Sequence, residues 1–325
     1  MMPSRNRFEA MEGVPGPARW PHRLPGCSLF RRSAALVLLL APACTASNQE
    51  GNITLTQPGP GLYQELSWSP DGSSILVSVL DLTDRDPRYT YRIWKLDPEA
   101  GTGGPITEGP RDYWTSWSPS GTRVVFAAPG EGGALDVFTM DADGAGRERL
   151  TFDERDDTQP SWSPTGSQIA FISQREGDGQ LWVMEPDGSN PRPLLRTRGE
   201  AQNPSWSPDA SLIAYYEMDD QGGNWVSVVR SDGSQPKRVT EGLWPSWTPD
   251  GLGLLYSADG GLFRIPLDGG EPVLVIGGDV IAGELSPAGH RLAYIVREEG
   301  RVALEVADPD GQNRRTLMTR PAPEW

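Results

Sequence analysis

Apolar residues cluster in short runs along most of this chain, and polar turns separate the runs. One series is Ile75-Leu76-Val77, Val124-Val125-Phe126, Ile169-Ala170-Phe171, Ile213-Ala214-Tyr215, Leu254-Leu255-Tyr256 and Leu292-Ala293-Tyr294. Each triplet is rich in β-branched and aromatic residues and reads as a buried strand. A second series follows at Ile93-Trp94-Lys95-Leu96, Val137-Phe138-Thr139-Met140, Leu181-Trp182-Val183-Met184, Trp225 to Val229, Leu262-Phe263-Arg264-Ile265 and Val302 to Val306. Most of these strands run into an Asp-Gly turn, at Gly144, Gly188, Gly233, Gly269 and Gly311; the first uses Pro98-Glu99-Ala100-Gly101.

A fixed turn precedes each triplet. It reads Trp68-Ser69-Pro70-Asp71-Gly72, Trp117-Ser118-Pro119-Ser120-Gly121, Trp162-Ser163-Pro164-Thr165-Gly166, Trp206-Ser207-Pro208-Asp209-Ala210 and Trp247-Thr248-Pro249-Asp250-Gly251, with a worn sixth copy at Leu285-Ser286-Pro287-Ala288-Gly289. Successive prolines are 49, 45, 44, 41 and 38 residues apart, the period of a propeller blade. A Leu-Thr or Val-Thr phrase at Leu150-Thr151 and Val239-Thr240, with looser copies at Ile106-Thr107 and Leu194-Leu195, completes the unit. Four short strands per unit and six units predict an all-β, six-bladed β-propeller with four-stranded blades.

The turn has a physical logic. Proline presets φ at the first central position, Asp tolerates the second, and glycine accepts the positive φ that reverses the chain. Ala210 lacks that freedom, so the fourth copy is expected to turn differently or to carry strain. The repeated tryptophan is a flat filler for the space between neighbouring sheets. Its constant position assigns it to packing rather than to a platform for sugars or bases.

This unit resembles the TolB-like propeller repeat, also called the WD40-like or PD40 repeat, from about Asn52 to Thr319. The resemblance implies the propeller fold and an exported setting. The N-terminal α/β domain of TolB has no counterpart in the sequence, so a role in the Tol system is not implied. Similar repeats precede the hydrolase half of prolyl-oligopeptidase-like enzymes, but no Gly-x-Ser-x-Gly elbow occurs here.

Composition refines the picture. Gly (38) and Pro (31) are frequent, yet 12 tryptophans and regular apolar triplets mark a folded chain rather than a disordered one. The formal charge of −15, without a basic stripe in the repeats, argues against nucleic acid as a partner. The first and last strands raise a closure question. Ile53 to Thr56 is expected to complete the sixth blade, with Arg314 to Thr319 loosely paired or at the edge.

Residues 1–43 share nothing with the repeat. Arg31-Arg32 precedes an apolar run from Ala34 to Ala41 that ends at Pro42-Ala43-Cys44, the order of a secretory signal. Eight apolar residues do not reach the roughly 20 of a spanning helix. Ala41-Pro42-Ala43-Cys44 resembles a lipoprotein lipobox, which implies lipidation of Cys44 after cleavage; ordinary secretion with cleavage nearby is the alternative. The expected organisation is a signal over 1–43, a tether over 44–51 and the propeller over 52–325. The product would be exported and membrane-anchored, periplasmic or else secreted. Cys27 and Cys44 both fall outside the repeats, so no disulfide staples the fold.

Function is expected at the channel mouth built by the loops between blades. Tyr113, Trp114 and Trp244 are aromatics outside the repeated packing position, and Asp156, Asp157 and Gln202 supply polar groups beside them. They predict non-covalent binding of a protein or glycan partner. The alternative is a polysaccharide-active enzyme that uses rim carboxylates, with Asp112, Asp156, Asp157, Glu200 and Glu241 as candidates. No metal or cofactor is expected. His-Glu-x-x-His and paired cysteine motifs are missing, and Asp141-Ala142-Asp143-Gly144 lacks the later glutamate of a calcium loop.

Overall fold

The computed structural model describes residues 62–81, 90–219 and 221–321, all within one compact unit. Six antiparallel sheets of four strands follow one another in chain order. The first holds β1 (Leu62–Trp68), β2 (Ile75–Asp81), β3 (Thr90–Asp97) and β4 (Thr102–Pro105). The second holds β5 (Tyr113–Trp117), β6 (Arg123–Pro129), β7 (Leu135–Asp141) and β8 (Glu148–Arg149). The third holds β9 (Asp157–Trp162), β10 (Ile169–Ser173), β11 (Gln180–Met184) and β12 (Arg192–Leu195). In the fourth are β13 (Glu200–Trp206), β14 (Leu212–Met218), β15 (Asn224–Arg230) and β16 (Lys237–Glu241). In the fifth are β17 (Leu243–Trp247), β18 (Gly253–Ala258), β19 (Gly261–Pro266) and β20 (Val273–Gly277). The sixth has β21 (Asp279–Leu285), β22 (Leu292–Glu298), β23 (Arg301–Ala307) and β24 (Arg315–Pro321).

The apolar triplets are the second strand of each blade and are buried throughout. They sit between two ladder partners, as in Ile169↔Trp162 and Ile169↔Met184. The Leu-Thr phrase falls just beyond the outer strand in blades 1 and 2. There the backbone leaves the ladder and the threonine hydroxyl takes over, accepting from Ile93 N (3.0 Å) through Thr107 and from Val137 N (2.9 Å) through Thr151.

Blades are held to one another by three repeated contacts. Four of the five tryptophans are at most 7% exposed, and Trp162 is half-buried. The indole nitrogen of Trp206 donates to Ser161 O (3.1 Å) and that of Trp247 to Ser205 O (2.9 Å), each acceptor being one blade back. Turn glycines sit on the previous blade's proline, so a Cβ on Gly166 would lie 3.3 Å from Pro119 and one on Gly251 3.7 Å from Pro208. The Asp-Gly turns press on the previous blade's outer strand. A Cβ at Gly144 would stand 1.9 Å from Ile106 O, and one at Gly233 2.3 Å from Leu194 O. No side chain fits there, which is the reason for glycine beyond its turn geometry.

In the Trp-Ser-Pro turn the serine closes the loop from both sides. Ser69 Oγ accepts from Ser74 N (2.9 Å) and donates to Asp71 (2.6 Å), and Gly72 N donates to Ser69 O. Ala210 makes the same turn, with φ 59° and Ala210 N donating to Ser207 O at 2.8 Å. Of the two expectations, different geometry is therefore wrong, and the strain expected instead corresponds to the left-handed φ of Ala210.

The ring closes without an added strand in the sixth blade's fourth position. β24 occupies it and pairs with β23 at six positions, from Arg301↔Pro321 to Val306↔Arg315, which corrects the expectation of loose pairing. Ile53 to Thr56 and Cys44 lie outside the described residues. Trp68 of blade 1 donates to Glu284 O of blade 6, and farther out Arg315 bonds the Pro98 and Glu99 carbonyls while Arg291 pairs with Glu99 (2.6 Å).

Candidate functional site in the central channel

The first strand of each blade faces the axis, and in blades 2 to 5 it carries a bulge three residues before its tryptophan. Trp114, Gln159, Asn203 and Trp244 all sit there with φ of 51–52°. Register slips between Tyr113 and Ser116, and between Leu243 and Ser246, mark the same place. An unpaired residue of this kind swings its side chain out of the alternating pattern.

These strands enclose a cavity of about 430 Å³. Pro70, Pro119, Pro164, Pro208, Pro249 and Pro287 ring it at one level. Nearer the loop face come Ser67, Ser116, Ser161, Ser205 and Ser246, each preceding a tryptophan; in blade 6 the same place holds Glu284. The bulge level contributes Glu65, Gln159, Asn203, Trp244 and Ala282.

Among the described residues that line the cavity, only Glu65 and Glu284 have titratable side chains. They come from the two blades that meet at the ring closure. Burial pushes the Glu284 carboxyl up to about 8 against some hydrogen bonding from the Trp68 backbone, and burial drives Glu65 well above the ordinary carboxylate range. Both are partly buried and line the channel.

The opposite wall satisfies itself. Gln159 donates to Gln202 (2.9 Å) and accepts from Asn203 N (2.6 Å), and Tyr216 donates its hydroxyl to Gln202 (3.2 Å). Trp244 tilts against Tyr216 with centroids 5.5 Å apart, lines the channel, and packs onto the apolar cluster of Trp68, Ile281 and Ala282.

The six residues expected at the mouth are thus divided. Trp244 and Gln202 are joined through Tyr216 at the channel. Tyr113 and Trp114 form a second group, with Tyr113 between Tyr91 (4.7 Å) and Trp114 (5.2 Å) and its hydroxyl pushed up to about 12, chiefly by burial. The Asp156 carboxylate accepts from Leu135 N (2.8 Å). Asp157 is fully buried on Arg175 at 2.6 Å, its carboxyl raised by burial, so Asp156 and Asp157 do not present a carboxylate pair. Asp112 is likewise buried, on Arg147 at 3.0 Å, and Arg147 in turn stacks on Phe126 and Phe138.

Sequence reasoning passed over Glu65 and Glu284. The signal for Glu284 was in the register: five copies place serine before the repeated aromatic, and the sixth places glutamate. Among the described residues no three His, Cys, Asp or Glu side chains gather at one point.

A family model, the TolB beta propeller domain (PD40), matches residues 110–265. The chain is 35% identical over 94 residues to the Tol-Pal system protein TolB of Anaeromyxobacter dehalogenans strain 2CP-1, covering 29% of this chain and 20% of that protein. It is 31% identical over 108 residues to the uncharacterized peptidase YuxL of Bacillus subtilis, covering 33% of this chain and 15% of that protein. The chain therefore spans about a fifth or less of these relatives. Among solved structures, TolB from Acinetobacter baumannii superposes with a TM-score of 0.52 at 19% identity, over 80% of this chain and 56% of that one. An oligogalacturonate lyase in complex with manganese gives 0.53 at 14% identity, over 77% and 89%. At such identity these likenesses show the fold. With the family match over residues 110–265, they show a propeller fold similar to that of the TolB-like, PD40-type proteins.

Proposed function

We propose that this TolB-like propeller is a non-catalytic, exported binding protein whose partner, a protein or a glycan, docks at the central channel and its loop-side mouth. The observation that carries the reading is the asymmetry of the channel wall. One side has its amides bonded to each other, while the other offers two carboxyls that no cationic side chain among the described lining residues answers, in a cavity also lined by the Trp244 indole. In this reading Trp244 contacts the partner from the channel wall, and Gln202, Tyr113, Trp114 and Asp156 are candidate contacts on the loops beyond it. Placement in the cell envelope, with Cys44 acylated, rests on the Arg31-Arg32 and Ala34 to Ala41 signal and on the similarity to TolB. Intact mass and membrane fractionation of wild type and C44S test it; an unmodified wild type refutes the anchor.

Calorimetric screening of soluble glycans and of envelope protein fractions finds the partner. Matched binding and melting curves for W114A, W244A and W162A then locate it. Loss of roughly 2 kcal/mol of binding in W244A or W114A, with little change in melting, supports the mouth. Unchanged affinity in both places the partner elsewhere.

A second reading keeps an enzyme in play, moved from the rim to Glu65 and Glu284. A carboxyl held protonated near neutral pH is fit to act as a general acid. Turnover of a bound polysaccharide, lost in E284Q, would establish it.

A further inference from the structure

We infer that the channel is a site for an organic ammonium group, held between Glu65 and Glu284 with the Trp244 indole as its third wall. This rests on the channel-binding reading above and names its ligand chemistry. Four observations lead to it.

The two glutamates lie 219 positions apart in sequence and meet because blade 6 abuts blade 1. A cavity whose described lining holds two carboxyls and no Lys, Arg or His selects against anions, and acidic sugars with them. Its other walls are prolines and serines, which accommodate a methylene stem and short polar contacts.

Trp244 lines the same cavity as the two glutamates and packs against the apolar cluster that includes Trp68, Ile281 and Ala282. An aromatic face with carboxylates beside it suits an alkylammonium, which binds through its charge and its apolar stem together. A hard divalent ion asks instead for six to eight oxygen ligands, and the charged donors here are two. Thr115, only 7% exposed in the same channel wall, has an Oγ1 with no hydrogen-bond partner among the described residues. The wall toward blades 1 and 2 is thus short of a donor or acceptor that a bound molecule supplies.

Both carboxyls are raised by burial, so a bound cation draws them into the charged form and a proton leaves. No other titratable side chain among the described residues lines the cavity, so the linkage belongs to this pair. Affinity for an ammonium therefore rises with pH up to about 8, by at most tenfold per unit for each proton released. Free amine and lysine side chain share this chemistry.

The test is titration calorimetry of the full chain with cadaverine, with a short lysine-containing peptide blocked at both ends, and with calcium chloride. It is run at pH 6 and 7.5 in two buffers of different ionisation heat. Expected are saturable binding of an amine probe, tighter at the higher pH with proton release, and at least tenfold weakening in E65Q/E284Q, whose melting points are measured alongside. Tighter cadaverine points to a small amine as the natural ligand, and a tighter peptide to a partner's lysine. No saturable binding of either amine, equal affinity in the double variant, or calcium binding without amine binding overturns the inference. A partner that binds through Trp244 would still stand in those cases, so the two readings fail separately.

Discussion

The indole nitrogen of Trp68 donates to the backbone carbonyl of Glu284 at 3.1 Å, across 216 positions of sequence. The same bond joins blade 4 to blade 3 through Trp206 and blade 5 to blade 4 through Trp247. The closure of the ring thus uses the same contact as two of its other joints. Because its acceptor is Glu284, the residue that locks the ring also sets one wall of the channel.

Replacing Trp68, Trp206 or Trp247 by phenylalanine is expected to cost about 1 kcal/mol each, the net worth of one hydrogen bond plus a small packing loss. Alanine at the same sites opens a cavity between sheets and should cost about 3–5 kcal/mol. Urea unfolding of the six variants checks both. A closure weaker than the other joints would show as a much smaller loss at Trp68.

Ala210 holds a left-handed conformation that its five counterparts give to glycine. A210G should stabilise the protein by about 0.5–1 kcal/mol, the relief of the left-handed alanine less the added flexibility of the unfolded chain. Thermal and chemical unfolding measure it; unchanged or lower stability would mean that the alanine methyl has a packing role.

The Asp157–Arg175 pair is buried, so removing one partner leaves the other uncompensated. R175M should destabilise by about 3 kcal/mol, whereas the double change D157L/R175M should recover much of the loss. A double-mutant cycle by chemical unfolding reads the difference.

Glu65 and Glu284 reverse the usual effect of pH on a carboxylate. Their folded values lie above the unfolded one, with Glu284 at about 8. The folded protein therefore holds protons that the unfolded chain has lost. Stability is greatest below about pH 4.5 as far as these groups are concerned, and falls as pH rises toward 8, by at most about 1.4 kcal/mol per unit for each group. Asp136, raised to about 6, and Asp157 act in the same direction at the acid end. The melting point should drop between pH 6 and 8.5 in wild type and drop much less in E65Q/E284Q. Parallel curves for the two proteins would contradict the assigned shifts.

Strand order, blade number and the packing role of the tryptophans were all legible in the sequence. The determinants are local and repeated: Ser69, Pro70, Asp71 and Gly72 make their turn from bonds within six residues, and Ile169 to Phe171 declare a buried strand by composition alone. The same locality made Ala210 visible as an exception. What required the third dimension was the environment of each charge. Asp157 and Asp156 are adjacent in sequence, yet a bulged inner strand buries one on Arg175 and gives the other to a backbone amide. Only ring closure brings Glu65 beside the blade that carries Glu284, and only their shared enclosure away from cations raises both carboxyls. Burial and pairing are sums over every neighbour in space, most of them distant along the chain, so the sequence by itself determined the propeller and the tertiary structure alone decided where its channel holds charge.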